Sequence, residues 1–428
     1  MNKFLRPLID KVSGDKYILS RSFIIIAASL FANFFAYLFQ LASGRYLSVE
    51  DYSILVSLFS LSGILLTLLT FFTGGVTKLV AEIKDDNYPT RISALFVTVF
   101  KVQFILALTI SFLIILFIPF ISDTLKISNR QIIFAFSFAI FAGNLIGFLI
   151  PFLQGLLRFK AYSLSLFLAA FTKFLVAIIV IVLGLGLVDI FWGLFIATLL
   201  VGYIQFVLLQ KNLKIKNYDF AKEDFSELVK YSVYSSLGVA GLSLLQNIDV
   251  LMVKYYFPEI TAGIYSSVSV IGKIIFFAAS PISIIVLPIC AQNFKKGLDF
   301  TRPFVLAILV STTISFVSFL VYTFFPGFLV EILFSNKYID AVPMLGIYAF
   351  YMIFFTLLNL LTIFLISISK FKLASVTFLT PILQLFGIIF YHDTLREIII
   401  VNIVSCIIVI LAISTNIFNL VRNKNNGN

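Results

Sequence analysis

Long apolar segments alternate with short polar breaks along almost the whole chain. About 20 apolar residues in a helix suffice to cross roughly 30 Å of hydrocarbon, and each segment reaches or closely approaches that length. The pattern therefore predicts an all-helical integral membrane protein. The twelve predicted spans are approximately 22–43, 52–74, 92–118, 132–154, 162–186, 189–210, 231–253, 261–291, 304–325, 342–369, 373–391 and 398–420.

The composition excludes an ordinary soluble protein. Of the 428 residues, 61% are hydrophobic and 12% are charged, against about half and about a quarter in globular domains. Cys290 and Cys406 lie in apolar stretches and His392 is the single histidine, so neither a disulfide framework nor a metal motif is predicted. Without a phosphate loop or a nucleophile motif, the sequence favours a transporter over an enzyme.

The basic residues predict the orientation. The net charge is +11, and most Lys and Arg residues fall in the breaks that share a side with the N-terminus. Cytoplasmic loops carry such an excess. We therefore expect both termini in the cytoplasm, and the basic pI is explained without a nucleic acid partner.

The two halves of the chain repeat. The segment 45–51 precedes the second span as 254–259 precedes the eighth, and Pro119 follows the third span as Pro326 follows the ninth. Matching orientation in both halves indicates a parallel repeat, which predicts two pseudo-symmetric six-helix lobes around a central cavity, as in alternating-access transporters. The predicted parts are an amphipathic N-terminal segment at 1–21, lobes at 22–210 and 231–421, a cytoplasmic linker at 211–230 and a tail at 422–428.

Two stretches carry a family resemblance. Residues 44–52, continuing into Gly74-Gly75 and 78–82, resemble the first-to-second helix signature of Wzx-type oligosaccharide flippases. Residues 249–265 resemble the counterpart in the second half. These flippases belong to the MOP (multidrug/oligosaccharidyl-lipid/polysaccharide) superfamily, together with MATE drug exporters. The sequence departs from the signature at Ser48-Val49, where Gly-Pro is frequent, and at Ser53, where Gly is common.

The resemblance implies movement of an undecaprenyl-diphosphate-linked oligosaccharide repeat from the inner to the outer leaflet. Such a product would enter O-antigen, capsule or exopolysaccharide. The implied partners are this lipid-linked substrate, membrane lipid, and the glycosyltransferases and polymerase of the same pathway. We expect a monomer, because one chain contains both lobes, and no cofactor apart from a possible coupling H⁺ or Na⁺.

Three lysines within the predicted spans are the main site candidates: Lys101, Lys173 and Lys273. Burying an unpaired charge is costly, so a diphosphate needs a cationic, hydrated path, and intramembrane charges are functional candidates. Lys273 shares a helical face with Ser266 and Ser269. For each lysine the alternative is an interhelical ion pair or a side chain that snorkels to the interface.

Asp249 is the candidate for ion coupling. It shares a helix face with Gln246 near the outer end of the seventh span. It could bind H⁺ or Na⁺, or pair with a cavity lysine. The alternative is a structural salt bridge with Lys254 or Arg45.

The remaining candidates are polar residues at helix faces or ends. Asn33 and Gln40 form a stripe with Tyr37 in the first span, which we expect to lie opposite Asn247 in the seventh. These groups could bind sugar hydroxyls or simply join helices. Arg45, at an outer helix end, could contact phosphate or anchor the interface.

Two other functions remain open. A MATE-like exporter of small cations has a similar layout, but three interior lysines would repel cationic cargo. A membrane polysaccharide polymerase would need a long outer loop, whereas the longest predicted outer breaks, 119–131 and 326–341, are short.

Overall fold

The computed structural model describes residues 16–70, 73–83, 88–210 and 222–426, and all regular structure within these ranges is helical. In the first half the helices are α1 (Lys16–Tyr46), α2 (Val49–Thr70), α3 (Thr73–Glu82), α4 (Tyr88–Leu116), α5 (Ile118–Thr124), α6 (Arg130–Gly147), α7 (Leu149–Gly155), α8 (Phe159–Val182) and α9 (Leu187–Gln210). In the second half they are α10 (Lys222–Tyr256), α11 (Glu259–Lys295), α12 (Thr301–Phe324), α13 (Pro326–Leu333), α14 (Val342–Ser367), α15 (Phe371–Ala374), α16 (Leu379–Phe390) and α17 (Leu395–Asn426). Short 3₁₀ turns at Asn336–Ala341 and Ser375–Phe378 precede α14 and α16.

Eleven helical stretches among the described residues are long and apolar enough to cross a membrane. They match the second to twelfth predicted spans, and α1 contains the first predicted span at 22–43. The fourth span is built from α6 and α7, and the eleventh from α15, a 3₁₀ turn and α16. A run of apolar residues gives the length of a span but not a break within it.

The predicted linker and termini differ from the observed helix bounds. Within the linker, 211–221 lie outside the described residues and 222–230 already belong to α10. In the N-terminal segment, 1–15 lie outside the described residues. Within the tail, 422–426 continue α17.

The N-terminal lobe is held together by aromatic and glycine contacts. Helix α1 lies along α8, where Phe35 packs edge-on against Phe167 and Phe171, with ring centroids 5.6 and 5.1 Å away. Helix α6 packs against α9 at Gly202, where an added Cβ would lie 2.4 Å from Ile146. Small residues drive such packing because lipid leaves no hydrophobic gain from joining apolar helices.

The C-terminal lobe surrounds α14, which contacts α11, α12 and α17. Gly272 of α11 lets the ring of Tyr348 approach so closely that a Cβ would lie 2.2 Å away. Tyr265, Tyr348 and Tyr351 are all fully buried. The centre of this lobe therefore contains hydroxyl groups that need hydrogen-bond partners.

The lobes meet where α2 packs against α10 and α11. Gly63 of α2 lies against Asn247, and Gly263 of α11 lies against the backbone of Val49, 2.2 Å from where a Cβ would be. We call the face where α1 and α10 end, at Tyr46 and Tyr256, the predicted outer face. The lobes are in direct contact there.

Candidate functional site

A buried carboxylate lies at the centre of the C-terminal lobe. Asp249 of α10 is fully buried. Its Oδ2 accepts a hydrogen bond of 2.8 Å from the hydroxyl of Tyr265 and a longer one of 3.5 Å from that of Tyr348. The side-chain amide of Asn402 donates to the same oxygen at 3.4 Å. We call these four residues the Asp249 cluster.

Two polar side chains extend the Asp249 cluster. Ser269 Oγ lies 3.0 Å from the hydroxyl of Tyr348, within hydrogen-bond distance. The amide of Gln384 donates to Asn402 Oδ1 at 2.9 Å and to the carbonyl of Leu245 at 3.0 Å. The site is therefore shared by α10, α11, α14, α16 and α17. Tyr348, Gln384 and Asn402 were not among the predicted site residues, although an amide within an apolar span is itself a signal of an interior position.

Lys273 lies close to this cluster. Its ammonium donates to the carbonyl of Gln246 at 2.9 Å, and it interacts electrostatically with Asp249. The positive charge of Lys273 and the negative charge of Asp249 therefore compensate each other within the C-terminal lobe. The two partners considered for a structural salt bridge lie elsewhere, since Lys254 binds Ser53 and Arg45 binds backbone carbonyls.

Lys173 lies in the other lobe, among aromatic rings. Its ammonium is 3.8 Å from the ring centre of Phe59 and 4.7 Å from that of Phe39. A cation over an aromatic face is attracted by the ring quadrupole. No acidic side chain among the described residues acts on this ammonium. Among the described residues, this ammonium therefore has aromatic rings and no acidic group as its recorded neighbours.

Lys101 lies apart from Lys273 and Lys173. It is exposed and lies on a face of α4 with Val97, Ile105 and Leu108, which are 38%, 63% and 51% exposed. An apolar face of this kind contacts lipid in a membrane helix. The position favours the snorkelling alternative for Lys101. The structure therefore does not bring the three lysines together.

The polar stripe of α1 faces a different helix from the one predicted. The hydroxyl of Tyr37 donates to the carbonyl of Val270 in α11 at 3.1 Å, so the stripe faces the eighth span and not the seventh. The reason is that α2 occupies the place against α10. Gln40 accepts a hydrogen bond of 3.3 Å from the Tyr52 hydroxyl.

The other two polar candidates are Asn247, which lies at the boundary between the lobes, and Asn33, which lies on α1. Asn247 donates to the carbonyl of Ser243 at 2.7 Å and packs against Gly63 of α2. Asn33 is partly exposed on α1. Nearby, the hydroxyl of Thr67 donates to Ser243 Oγ at 2.7 Å across the boundary.

Arg45 joins the two lobes at the predicted outer face. Its guanidinium donates to the carbonyls of Leu333 at 3.2 Å and Glu331 at 3.3 Å, and also to that of Ile332. These carbonyls form the C-terminus of α13, where unpaired oxygens attract cations. In this structure Arg45 anchors the interface.

Known proteins share this fold. A family model described as polysaccharide biosynthesis protein matches residues 18–294. An uncharacterized membrane protein of Methanocaldococcus jannaschii is 27% identical over 285 residues, which is 62% of this chain and 66% of the relative, so the match spans just under two thirds of that relative's length.

Two solved structures are similar over nearly the whole chain. One is an inward-facing multidrug resistance MATE family transporter of the MOP superfamily, with a TM-score of 0.77, 14% identity and coverage of 90% of this chain and 96% of the other. The second is the lipid II flippase MurJ in an inward closed conformation, with a TM-score of 0.70, 13% identity and coverage of 91% and 86%.

These similarities confirm the predicted fold class, an all-helical membrane protein of two lobes. They also agree with a multi-pass membrane protein, as the many apolar helices among the described residues indicate. The family model covers well over half of the chain. The protein belongs to the polysaccharide biosynthesis protein family and has the fold of the MOP superfamily.

Proposed function

We propose that this protein is a flippase for a polyprenyl-diphosphate-linked oligosaccharide, with undecaprenyl as the expected carrier in a bacterium. It moves the head group from the inner to the outer leaflet by alternating access. The family and the MOP fold support a flippase or transporter. The substrate and the direction are the proposal.

The observation that carries the substrate class is the environment of Lys173. This ammonium lies in the N-terminal lobe between Phe39 and Phe59, without an acidic partner among the described residues. Charges interact more strongly in a low-dielectric interior than in water. An uncompensated cation therefore favours an anion, such as a diphosphate or an acidic sugar, and disfavours the small cation of the MATE-like alternative.

The C-terminal lobe supplies a means of coupling. While Asp249 is ionised, it offsets the charge of Lys273. Binding of H⁺ or Na⁺ to the carboxylate would leave Lys273 uncompensated and make this lobe more attractive to an anion. Ion binding and anion binding would then reinforce each other, as linkage between two sites requires.

Polar groups at or near the lobe boundary are the proposed sugar contacts. Asn33, Gln40 and Asn247 present amides that can donate to and accept from hydroxyls. Gln40 and Asn247 already have partners in the closed arrangement. We expect these bonds to exchange for bonds to sugar when the lobes separate.

The setting of this activity follows from the substrate. We propose a location in the bacterial cytoplasmic membrane with both termini in the cytoplasm. Glycosyltransferases would supply the lipid-linked unit, and a polymerase would consume it for surface polysaccharide such as O-antigen, capsule or exopolysaccharide. The protein would act as a monomer and without a nucleic acid partner.

The experiment uses purified protein in liposomes with a fluorescent lipid-linked oligosaccharide in the inner leaflet. We expect the diphosphate-linked substrate to reach the outer leaflet and an uncharged polyprenyl glycoside with the same sugar to move much more slowly. Equal rates would contradict recognition of the anion. Efflux of a cationic dye, without movement of either lipid, would support the exporter.

A further inference from the structure

Two lysines occupy corresponding places in the repeat. Lys126 lies between α5 and α6 in the first lobe, and Lys337 lies between α13 and α14 in the second. Each loop also contains a residue with positive φ, namely Lys126 itself with φ 53° in the first lobe and Ser335 with φ 100°, two positions before Lys337, in the second.

Each lysine reaches across to the other lobe. Lys126 Nζ donates to the carbonyl of Phe257 at 2.8 Å, one residue beyond the end of α10. Lys337 Nζ donates to the carbonyls of Arg45 at 2.7 Å and Leu47 at 2.6 Å, around the end of α1. Each lobe thus provides a cation for the C-terminus of a long helix in the opposite lobe.

The acceptors suit the donors. The last carbonyls of a helix have no partner within the helix and carry the negative end of its dipole. A lysine ammonium there satisfies the oxygens and is attracted by the dipole. Since both acceptor groups are neutral, separation of the lobes leaves no buried carboxylate without a partner.

Two further hydrogen bonds at the same face also join the two lobes. Lys254, which corresponds to Arg45 in the repeat, donates to Ser53 Oγ at 2.7 Å. Ser53 is the position where the resemblance would lead one to expect Gly, so this departure provides the acceptor. The hydroxyl of Tyr338 donates to the carbonyl of Gly44 at 3.1 Å.

We propose that Lys126 and Lys337 form a reciprocal clasp that holds the predicted outer face closed, and that both bonds must break for that face to open. The inference rests on the two-lobe architecture and not on the identity of the substrate.

The test measures the distance between the lobes at this face. Spin labels are placed at Ser128→Cys and Ile339→Cys, two exposed positions on opposite lobes, in full-length protein whose buried Cys290 and Cys406 are replaced by Ala. In liposomes, the labelled protein should show one narrow distance. Lys126→Gln together with Lys337→Gln should add a longer distance and raise the ratio of open to closed molecules about tenfold or more, since hydrogen bonds to charged groups are strong.

The matched control replaces Lys160 and Lys372 by Gln. These two exposed lysines also correspond in the repeat but lie outside the clasp, and their removal should leave the distance unchanged. Lys126→Arg with Lys337→Arg should remain closed. An unchanged distance in the double Gln variant, eluting as wild type in size-exclusion chromatography, would overturn the proposal. Should that variant not fold, each single Gln variant should show a smaller increase, and no increase in either would overturn it equally.

Discussion

The hydroxyl of Tyr265 lies 2.8 Å from Oδ2 of Asp249 and donates a hydrogen bond to it in the middle of the C-terminal lobe. Both residues are fully buried. A buried carboxylate is stable only when it is hydrogen-bonded or neutralised. The hydrogen bond therefore connects the carboxylate of Asp249, which can take up an ion, to α11, the helix that carries both Tyr265 and Lys273.

The first prediction concerns coupling. Asp249→Asn should abolish the dependence of transport on an ion gradient in liposomes, because the amide binds neither H⁺ nor Na⁺ as a carboxylate does. Tyr265→Phe should keep coupling but weaken it, since the carboxylate keeps other donors. Rates are measured with and without H⁺ and Na⁺ gradients. Full coupling in Asp249→Asn would assign this residue to structure alone.

A second prediction concerns the charge balance between Lys273 and Asp249. Lys273→Ala leaves the buried carboxylate without its opposing cation, so it should lower thermal stability. Adding Asp249→Asn should restore part of the loss, with a coupling energy of about 1 kcal/mol or more. The midpoint of thermal unfolding is measured for both single variants and the double variant in one detergent. Strictly additive losses would show that the two charges do not interact.

The same lysine also gives a prediction in cells. Lys273→Ala should reduce surface glycan by more than any fall in protein level explains, because in the proposed mechanism Lys273 attracts the head group once an ion has bound to Asp249. Surface glycan is measured by staining and protein level by immunoblot. Normal glycan would remove Lys273 from the mechanism.

A fourth prediction concerns the contact between the lobes. Gly263→Ala places a methyl group 2.2 Å from where the Val49 carbonyl oxygen lies, so α2 and α11 must move apart. The spin-label distance across the predicted outer face should lengthen. Gly143→Ala is the control, because nothing lies within 4 Å of the added Cβ. An unchanged distance in Gly263→Ala would show that the boundary tolerates the methyl group.

The helices could be predicted because span length is a local property. Each span needs only a sufficient run of apolar residues. The similarity between segments 45–51 and 254–259 predicted the division into two lobes. The break between α6 and α7 and the 3₁₀ turn before α16 lie just before Pro151 and Pro381. A proline within a membrane span can be tolerated without a break, so the prolines alone could not predict where these helices end.

The site was only partly predictable, for two physical reasons. Two of the three side-chain partners of Asp249 come from distant helices, 99 residues away for Tyr348 and 153 for Asn402, and no local spacing connects them to Asp249. A lysine in a span is equally visible whether it faces lipid or interior. For Lys101, the exposed neighbours Ile105 and Leu108 show that the lysine is on the lipid-facing side of its helix. Their spacing of four and seven residues from Lys101 is visible in the sequence and indicates an apolar helix face.

The central claim is that an uncompensated cation in the N-terminal lobe attracts an anionic head group. The most direct measurement is the affinity of purified protein for a diphosphate-linked oligosaccharide, with Lys173→Gln compared with wild type and with Lys101→Gln, a lysine on a lipid-facing helix face, as control. A charged hydrogen bond contributes about 1.5–3 kcal/mol, so Lys173→Gln should weaken binding about tenfold or more and Lys101→Gln should not. Equal affinity in wild type and Lys173→Gln would contradict the account.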